Sequence, residues 1–438
     1  MRFAMSFLKT SVAAVAALSA AAPGGAVQAQ SAESAVSRAQ GQSADLFARD
    51  RNISVRERPR PDYEALGVPM GVFSAFPRVE IEAEQNDNVF AVATGEDSDL
   101  IWRVKPELAL ESGWSRHSLR AYARAAISRY SDFSDENSED WGTGAAGRID
   151  ITRAANLALG ADYARLTEPR TSSSAPAAAA EPVRYDLAQA FAAGTRVSGR
   201  LKLGVRADLR SFDYDDAFTA GGVEIDQDSR DRTITSLSGR GDYALSPATA
   251  VFGQLTANKR NYDDAGAPGV LSRDSDGYEV LGGVNFEIGA VSRGEIAAGY
   301  VSQDFDNYDN IDGFAARGLL EWFPTQMTTV TLTGARAVED SGIAFSGGYM
   351  SSSAGVRVDH ELRRNVILSA NATVARDEYE GIDREDERVG VSVSGTWLVN
   401  RRAGVTVAAS RFDQSSKGAD SGADFDVNRL TVTLVTQF

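Results

Sequence analysis

The sequence predicts an all-β chain: a transmembrane antiparallel up-and-down β-barrel of eighteen strands. Three observations carry this. Residues 73–438 repeat a strand of ten to fourteen residues followed by a break, short and long breaks alternate, and apolar and polar residues alternate within the strands.

The chain opens with a segment that reads as targeting rather than fold. Arg2 and Lys9 precede a short apolar run over 11–22, and Val27, Gln28 and Ala29 offer a small-residue cleavage site. The run is too short to cross a hydrocarbon layer of about 30 Å, so residues 1–29 read as a secretory signal peptide. No later stretch approaches the ~18 uninterrupted apolar residues of a membrane helix. Hydropathy alone would call the chain soluble, but alternating strands average to polar values. Cysteine is absent, which suits a barrel closed by its own hydrogen bonds better than a disulfide-braced secreted domain.

The breaks come in two kinds. The short ones fall at 111–113, 152–155, 193–195, 245–247, 289–291, 324–326, 363–364 and 400–401. The long ones fall at 85–99, 131–140, 167–183, 213–232, 263–277, 304–312, 339–349, 377–387 and 413–426. Eight short and nine long breaks interleave, which makes nine hairpins. Short periplasmic turns opposite long outer loops, with an even strand number, form the asymmetry of bacterial outer-membrane barrels. Both termini then fall on the periplasmic side.

Alternation fixes the faces. Over 200–210, Leu201, Leu203, Val205, Ala207 and Leu209 share one face, against Arg200, Lys202, Arg206, Asp208 and Arg210. Over 388–397, Val389, Val391, Val393 and Trp397 oppose Arg388, Ser392, Ser394 and Thr396. Residues 295–305, rich in Ala and Gly, alternate poorly. The last strand ends on Phe438 after Leu430, Val432 and Leu434, similar to the terminal signal by which the barrel assembly machinery recognises its clients. Tyr130, Phe212, Tyr214, Tyr262, Phe305, Tyr379 and Phe412 mark one aromatic belt at the long-loop ends, with strand parity turning Phe212 and Tyr262 inward. Trp322, Phe323 and Trp397 mark a second belt near the short turns.

Charge is segregated along the chain. The long loops hold 39 acidic and 6 basic residues, leaving 22 acidic and 39 basic elsewhere. The acidic crown reads first as a solvated, repulsive surface near lipopolysaccharide. Runs around Asp213, Asp215 and Asp216, or Asp263 and Asp264, offer hard oxygen ligands, yet none has EF-hand spacing, so no metal is assigned. By parity the inward basic residues are Arg103, Lys105, Arg120, Arg124, Arg148, Arg200, Lys202, Arg206, Arg210, Arg240, Arg317, Arg357 and Arg429. Inward acids include Glu107, Asp150, Asp208, Asp242, Glu287, Glu321 and Asp359. They read either as a packed ionic ladder or as a basic conduit whose field favours anions.

No catalytic constellation emerges. His117 and His360 are the two histidines, and neither pairs by sequence with a nucleophile. The Gly pairs at 142/144 and 239/241 lie inside strands with no helix to receive a phosphate, so no cofactor is expected. Basic residues lie inside strands rather than on an exposed arm, so nucleic acid is not an expected partner. Residues 30–72 lack alternation and read as a periplasmic linker, or else as a plug or docking strip, with the Arg-Pro stretch over 56–63 extended.

Several motifs resemble a family of outer-membrane β-barrel porins found in alphaproteobacteria. They are Arg58-Pro-Arg60-Pro-Asp62-Tyr63 with Leu66-Gly67, Phe76 to Glu80, Asp87 to Phe90, and Trp114 to His117. Further on come Arg273 to Tyr278, Asp359 to Leu362 and Tyr379 to Asp386, so the likeness runs from about Val55 to Phe438. The resemblance implies a conduit associated with exopolysaccharide or capsule export, with outer-membrane lipid and periplasmic polysaccharide export proteins as partners, and it carries over no catalytic residue. A diffusion porin, general or anion-selective, and a surface adhesion barrel remain alternatives.

Overall fold

The computed structural model describes residues 53–263, 271–343 and 345–438. The segment read as a signal peptide and residues 30–52 lie outside the described residues. The first strands are β1 (Val68–Met70), β2 (Phe73–Asn86), β3 (Asp99–Ser112), β4 (Ser118–Tyr130), β5 (Ser138–Thr152), β6 (Ala155–Thr167), β7 (Arg184–Ser198) and β8 (Leu201–Tyr214). A two-residue pair, β9 (Ala217–Phe218) and β10 (Glu224–Ile225), decorates the following loop. Then come β11 (Arg232–Ser246), β12 (Thr249–Tyr262), β13 (Ser275–Ile288), β14 (Ser292–Phe305), β15 (Ile311–Thr325) and β16 (Thr328–Asp340). The last are β17 (Gly348–Arg363), β18 (Val366–Tyr379), β19 (Glu385–Asn400), β20 (Ala403–Lys417) and β21 (Phe425–Gln437).

Eighteen of these form one antiparallel ring in chain order, β2–β8 then β11–β21. The ring closes where β2 pairs β21 from Arg78↔Gln437 to Asn86↔Arg429. Closure gives every barrel strand a partner on both sides, the condition for spanning hydrocarbon with strands. The short β1 extends the β2 edge below this seam, where the Gly67 N–H donates to the Phe438 carbonyl at 3.3 Å.

The two rims differ as the break lengths predict. One rim carries turns of two or three residues plus a five-residue turn at 113–117, and the other carries loops of five to seventeen residues. The third short turn lies at Gly199 and Arg200, not at 193–195. The strand pairing continues through Ser198↔Leu201, and Gly199 reverses the chain with φ +59°. That left-handed geometry is cheap for glycine alone, and the inner Ala193-Gly194 pair is simply strand. Five hairpins shift register just before their short turn, at 150/152, 244/246, 322/325, 361/363 and 398/400. Bulges of this kind increase local twist where the chain must reverse.

The faces alternate as a membrane barrel requires. Leu203, Val205, Leu209, Val280, Val391 and Val393 are among many exposed large apolar residues on the outer wall. An exposed apolar band of this extent belongs in hydrocarbon rather than water. The aromatic girdles differ from the expected set. Phe212 and Tyr262 are buried inside the long-loop rim, as parity predicts, but Phe305, Tyr379 and Phe412 are buried there too. The outward girdle at that rim is Trp102, Trp141, Tyr163, Tyr278, Tyr300 and Phe314, and Trp322, Trp397 and Tyr243 face outward near the short turns. Aromatics occur at strand ends on both faces here, so only strand register separates the two sets.

Face parity predicts an asymmetric response to charge. Val393→Arg, on the outer wall, should cost about 2–4 kcal/mol of folding stability. Ser394→Arg, one residue along and inward, should cost far less, as measured by denaturant titration in lipid vesicles.

Candidate functional site

The inner wall is polar and unevenly charged. On β2, β3 and β21, Arg103 donates to Glu82 at 2.9 Å and Glu84 at 2.8 Å, Lys105 donates to Glu82 at 2.9 Å, and Arg429 lies 3.8 Å from Glu84. Arg120 faces Glu111 at 3.7 Å, Arg124 stacks near Tyr122, and Arg148 binds Asp150 at 2.8 Å by the short-turn rim. Arg357 holds Asp359 at 2.9 Å. Here the charges form a laced ladder, since each acid sits within reach of a base.

The opposite sector is basic. Lys202, Arg206 and Arg210 on β8, Arg232 and Arg240 on β11, and Arg260 on β12 point inward on three adjacent strands, with Asp208 and Asp242 as the inward acids. Arg206 binds Asp208 and stacks on Phe191 at 4.2 Å, while Arg240 lies 3.6 Å over Phe252 and reaches Asp242 and Glu295. Arg317 extends the column with a 3.0 Å bond to Gln254. Arg200 is a correction: it sits exposed in the 199–200 turn and lines nothing. Facing this column across the ring, β18–β21 turn Ser369, Asn371, Thr373, Ser392, Ser394, Thr396, Thr406, Ser410, Thr431 and Thr433 inward.

The long-loop rim is roofed. The loop between β6 and β7 (168–183) crosses the ring to its far side. Tyr379 of β18 donates to Ser173 Oγ at 3.1 Å, and the Gly342 N–H donates to Ser174 Oγ at 3.2 Å. Eight strands separate β7 from β18 one way and seven separate β6 from β18 the other, so the span is diametric. The longest loop, 215–231, props the crossing loop through the bridge Ala179↔Thr219. Loop 168–183 is rich in Ser, Ala and Pro, and its low charge lets it lie over the mouth without repulsion.

Buried ion pairs pin the roof. Arg230 forks onto Glu168 at 2.7 and 3.0 Å and stacks 4.0 Å over Tyr214. Arg170 forks onto Glu136 at 2.6 and 3.0 Å. Arg273, 2% exposed, donates to the carbonyls of Ser346, Ile343 and Ser229 at 3.0–3.1 Å, tying three loops together. Forked Arg–carboxylate pairs are the strong, directional kind.

The hairpin end of β16 and β17 also leaves the wall. Pairing of β15 with β16 stops at Ala316↔Arg336, whereas β16 and β17 pair on to Asp340↔Gly348. Above that point Val338 and Met350 pack onto inward Leu281, Val301, Phe305, Ile311 and Ala315. This explains the poor alternation of 295–305: its inner face is covered by protein and is therefore apolar too. Asp340 then meets Arg260 at 2.6 Å and Arg232 at 3.1 Å.

The short-turn rim holds the N-terminal segment. Residues 53–67 form turns rather than the expected extended strip, with the Arg58 N–H donating to Ser54 O at 3.0 Å and Glu64 to Arg60 O at 3.1 Å. Val55 is fully buried and donates to Thr329 Oγ1 at 3.0 Å. Arg58 and Arg60 share Glu361 at 3.1 and 3.0 Å, and Arg56 lies 3.4 Å from Asp359. Burial, aided by the neighbouring charge of Arg357, pushes the Arg56 guanidinium down to about 10, which leaves it charged at neutral pH. Glu361 falls in the Asp359–Leu362 motif and Thr329 had no signal beyond parity, but nothing local says where a leading segment docks.

Among the described residues of the acidic crown, the exposed carboxylates of Asp216, Asp226 and Asp228 come within 4.8 Å of one another. Burial pushes Asp231 up to about 6, with Asp213, Asp228 and Asp263 adding to the shift.

A closed eighteen-strand ring with an apolar outer band, aromatic girdles and a polar lumen defines an outer-membrane β-barrel of porin-like build. The chain belongs to the family described as Putative beta-barrel porin 2, whose profile matches residues 60–438. No curated protein matches the chain. Similar solved structures include three from Pseudomonas aeruginosa. OccK2 (OpdF) is 11% identical over 84% of this chain and 98% of that one, with TM-score 0.46. OpdK is 14% identical over 83% and 99%, with TM-score 0.44. The siderophore receptor PirA is 10% identical over 85% and 81%, with TM-score 0.44.

Two outcomes test the roof. Glu168→Ala leaves Arg230 buried without its counter-charge, at a local cost of about 3–5 kcal/mol, so limited proteolysis should nick 168–183 much faster than in the wild type. Asp231 is the pH probe. Its folded pKa lies above the ordinary carboxylate value, so the folded loop binds the proton more tightly and gains stability as pH falls from about 6 towards 4. Protease protection of 215–231 should rise over that window, and Asp231→Asn should flatten the rise.

Proposed function

We propose that the barrel is a gated conduit for an acidic polymer, with exopolysaccharide export as its role and the long-loop rim facing outward. The observation that carries this is the pairing of two opposite walls, the basic column of β8–β12 and the hydroxyl- and amide-lined face of β18–β21. A uronate-bearing glycan presents carboxylates on one side and hydroxyls all round. Guanidinium forks match the carboxylates, and Ser, Thr and Asn side chains can donate to or accept from sugar hydroxyls. The roof and the N-terminal segment, at opposite rims, supply the closures that an exporter needs between substrates. The docked Arg56–Arg60 stretch supports this reading, since it holds the leading segment against the short-turn rim, the side on which this reading puts a periplasmic export component.

A second reading, an anion-selective diffusion pore, draws on the same basic column. The roof favours the gated conduit, since a diffusion pore conducts at rest.

Planar-bilayer recording of the refolded mature protein decides between them. The conduit reading expects a mostly closed channel that opens, anion-selective by reversal potential, once Ser173→Ala and Tyr379→Phe remove the far-side latch. Arg206→Gln with Arg210→Gln in that background should reduce the anion preference. A wild type that conducts steadily would instead establish the diffusion pore. A latch-free channel without anion preference would overturn the acidic-polymer reading.

A further inference from the structure

The inner wall just below the roof contains a built anion site that the protein fills with its own carboxylate. Arg232 and Arg260 converge on Asp340 at 3.1 and 2.6 Å, and all three side chains are largely buried. Arg260 is 9% exposed, and its Nε is buried with no hydrogen-bond partner. Arg210, inward beside Ile234 on the neighbouring strand, adds its charge to the same carboxylate. The floor is aromatic: the Arg232 guanidinium stacks 4.2 Å over Phe212, with Tyr262 and Tyr214 at 5.8 and 6.0 Å.

Asp340 does not belong to this wall. Three strands separate β16 from β12, and four separate it from β11. The carboxylate arrives because the β16–β17 hairpin end leans away from β15. Two residues on, Gly342 donates to Ser174 of the crossing loop, so the carboxylate and the roof latch share one short stretch of chain.

We infer that Arg232, Arg260 and Phe212 form an exit subsite for a carboxylate-bearing sugar, and that Asp340 occupies it as an internal surrogate whose displacement by substrate unlatches the roof. This deepens the acidic-polymer reading and rests on it. The basic column delivers carboxylates upward towards Arg232 and Arg260. Two convergent guanidiniums suit a uronate, because their N–H groups take the carboxylate while the Phe212 ring backs Arg232 and holds it in place. Asp340 already accepts from both arginines, so a substrate carboxylate must compete with it for the same donors. Competition shifts the roof because the closed state requires Asp340 in place, and a ligand shifts an equilibrium by its preference for one state.

The test uses the full-length mature barrel, with trigalacturonate as probe and neutral maltotriose as control. In bilayers, trigalacturonate added at the short-turn side should raise the open probability of the wild type by about tenfold, the size of an ordinary coupling between sites. Maltotriose should not. Asp340→Asn, checked for folding by heat-modifiable mobility, should be open without probe and bind trigalacturonate more tightly than the wild type in calorimetry. Arg232→Gln with Arg260→Gln in that background should abolish the binding. A wild type indifferent to trigalacturonate would overturn the subsite even if Asp340→Asn failed to fold. So would an Asp340→Asn barrel that binds no tighter than the wild type. Failure of the acidic-polymer reading is seen separately, as a latch-free channel without anion preference.

Discussion

The structure depends on the pairing of β2 with β21. In hydrocarbon an unpaired backbone N–H or C=O costs several kcal/mol, so a sheet can cross the membrane only when its first and last strands meet. Nine register pairs, Arg78↔Gln437 to Asn86↔Arg429, achieve that. Closure fixes every face at once, because side chains alternate and each paired residue shares the face of its partner. The apolar band, the girdles and the inward charges all follow from this single seam. The seam also gathers Arg103, Lys105 and Arg429 around Glu82 and Glu84, residues far apart in the chain.

A closed ring of this size encloses more space than wall side chains can fill. The protein spends its loops and leading segment on that space. Loop 168–183 reaches across one mouth, the β16–β17 end leans in beside it, and residues 53–67 settle against the other rim. Each intrusion brings charge into low dielectric, and each charge finds a partner there: Glu168 for Arg230, Asp340 for Arg232 and Arg260, Glu361 for Arg58 and Arg60. Buried charges without partners are costly, so these pairs define where the intrusions rest. The same logic makes them switchable, since a competing carboxylate offers an arginine the same contact.

What the sequence by itself determined is whatever repeats at short range. The strand count, the order of short and long breaks and the outward Leu and Val residues follow from period-2 patterning and turn residues. Local rules erred where they met an exception in the same register, as at Ala193-Gly194, where a strand glycine looks like a turn and Gly199 is the one that reverses the chain. Parity placed the inward bases along β3, β8 and β11, because each needs only its own strand. Tertiary structure alone decided the rest. That Tyr379 meets Ser173, Asp340 meets Arg260 and Arg60 meets Glu361 depends on which strands face each other across a closed ring. These partners are 206, 80 and 301 residues apart, and no local pattern encodes a contact across a lumen that exists only once the last strand has joined the first.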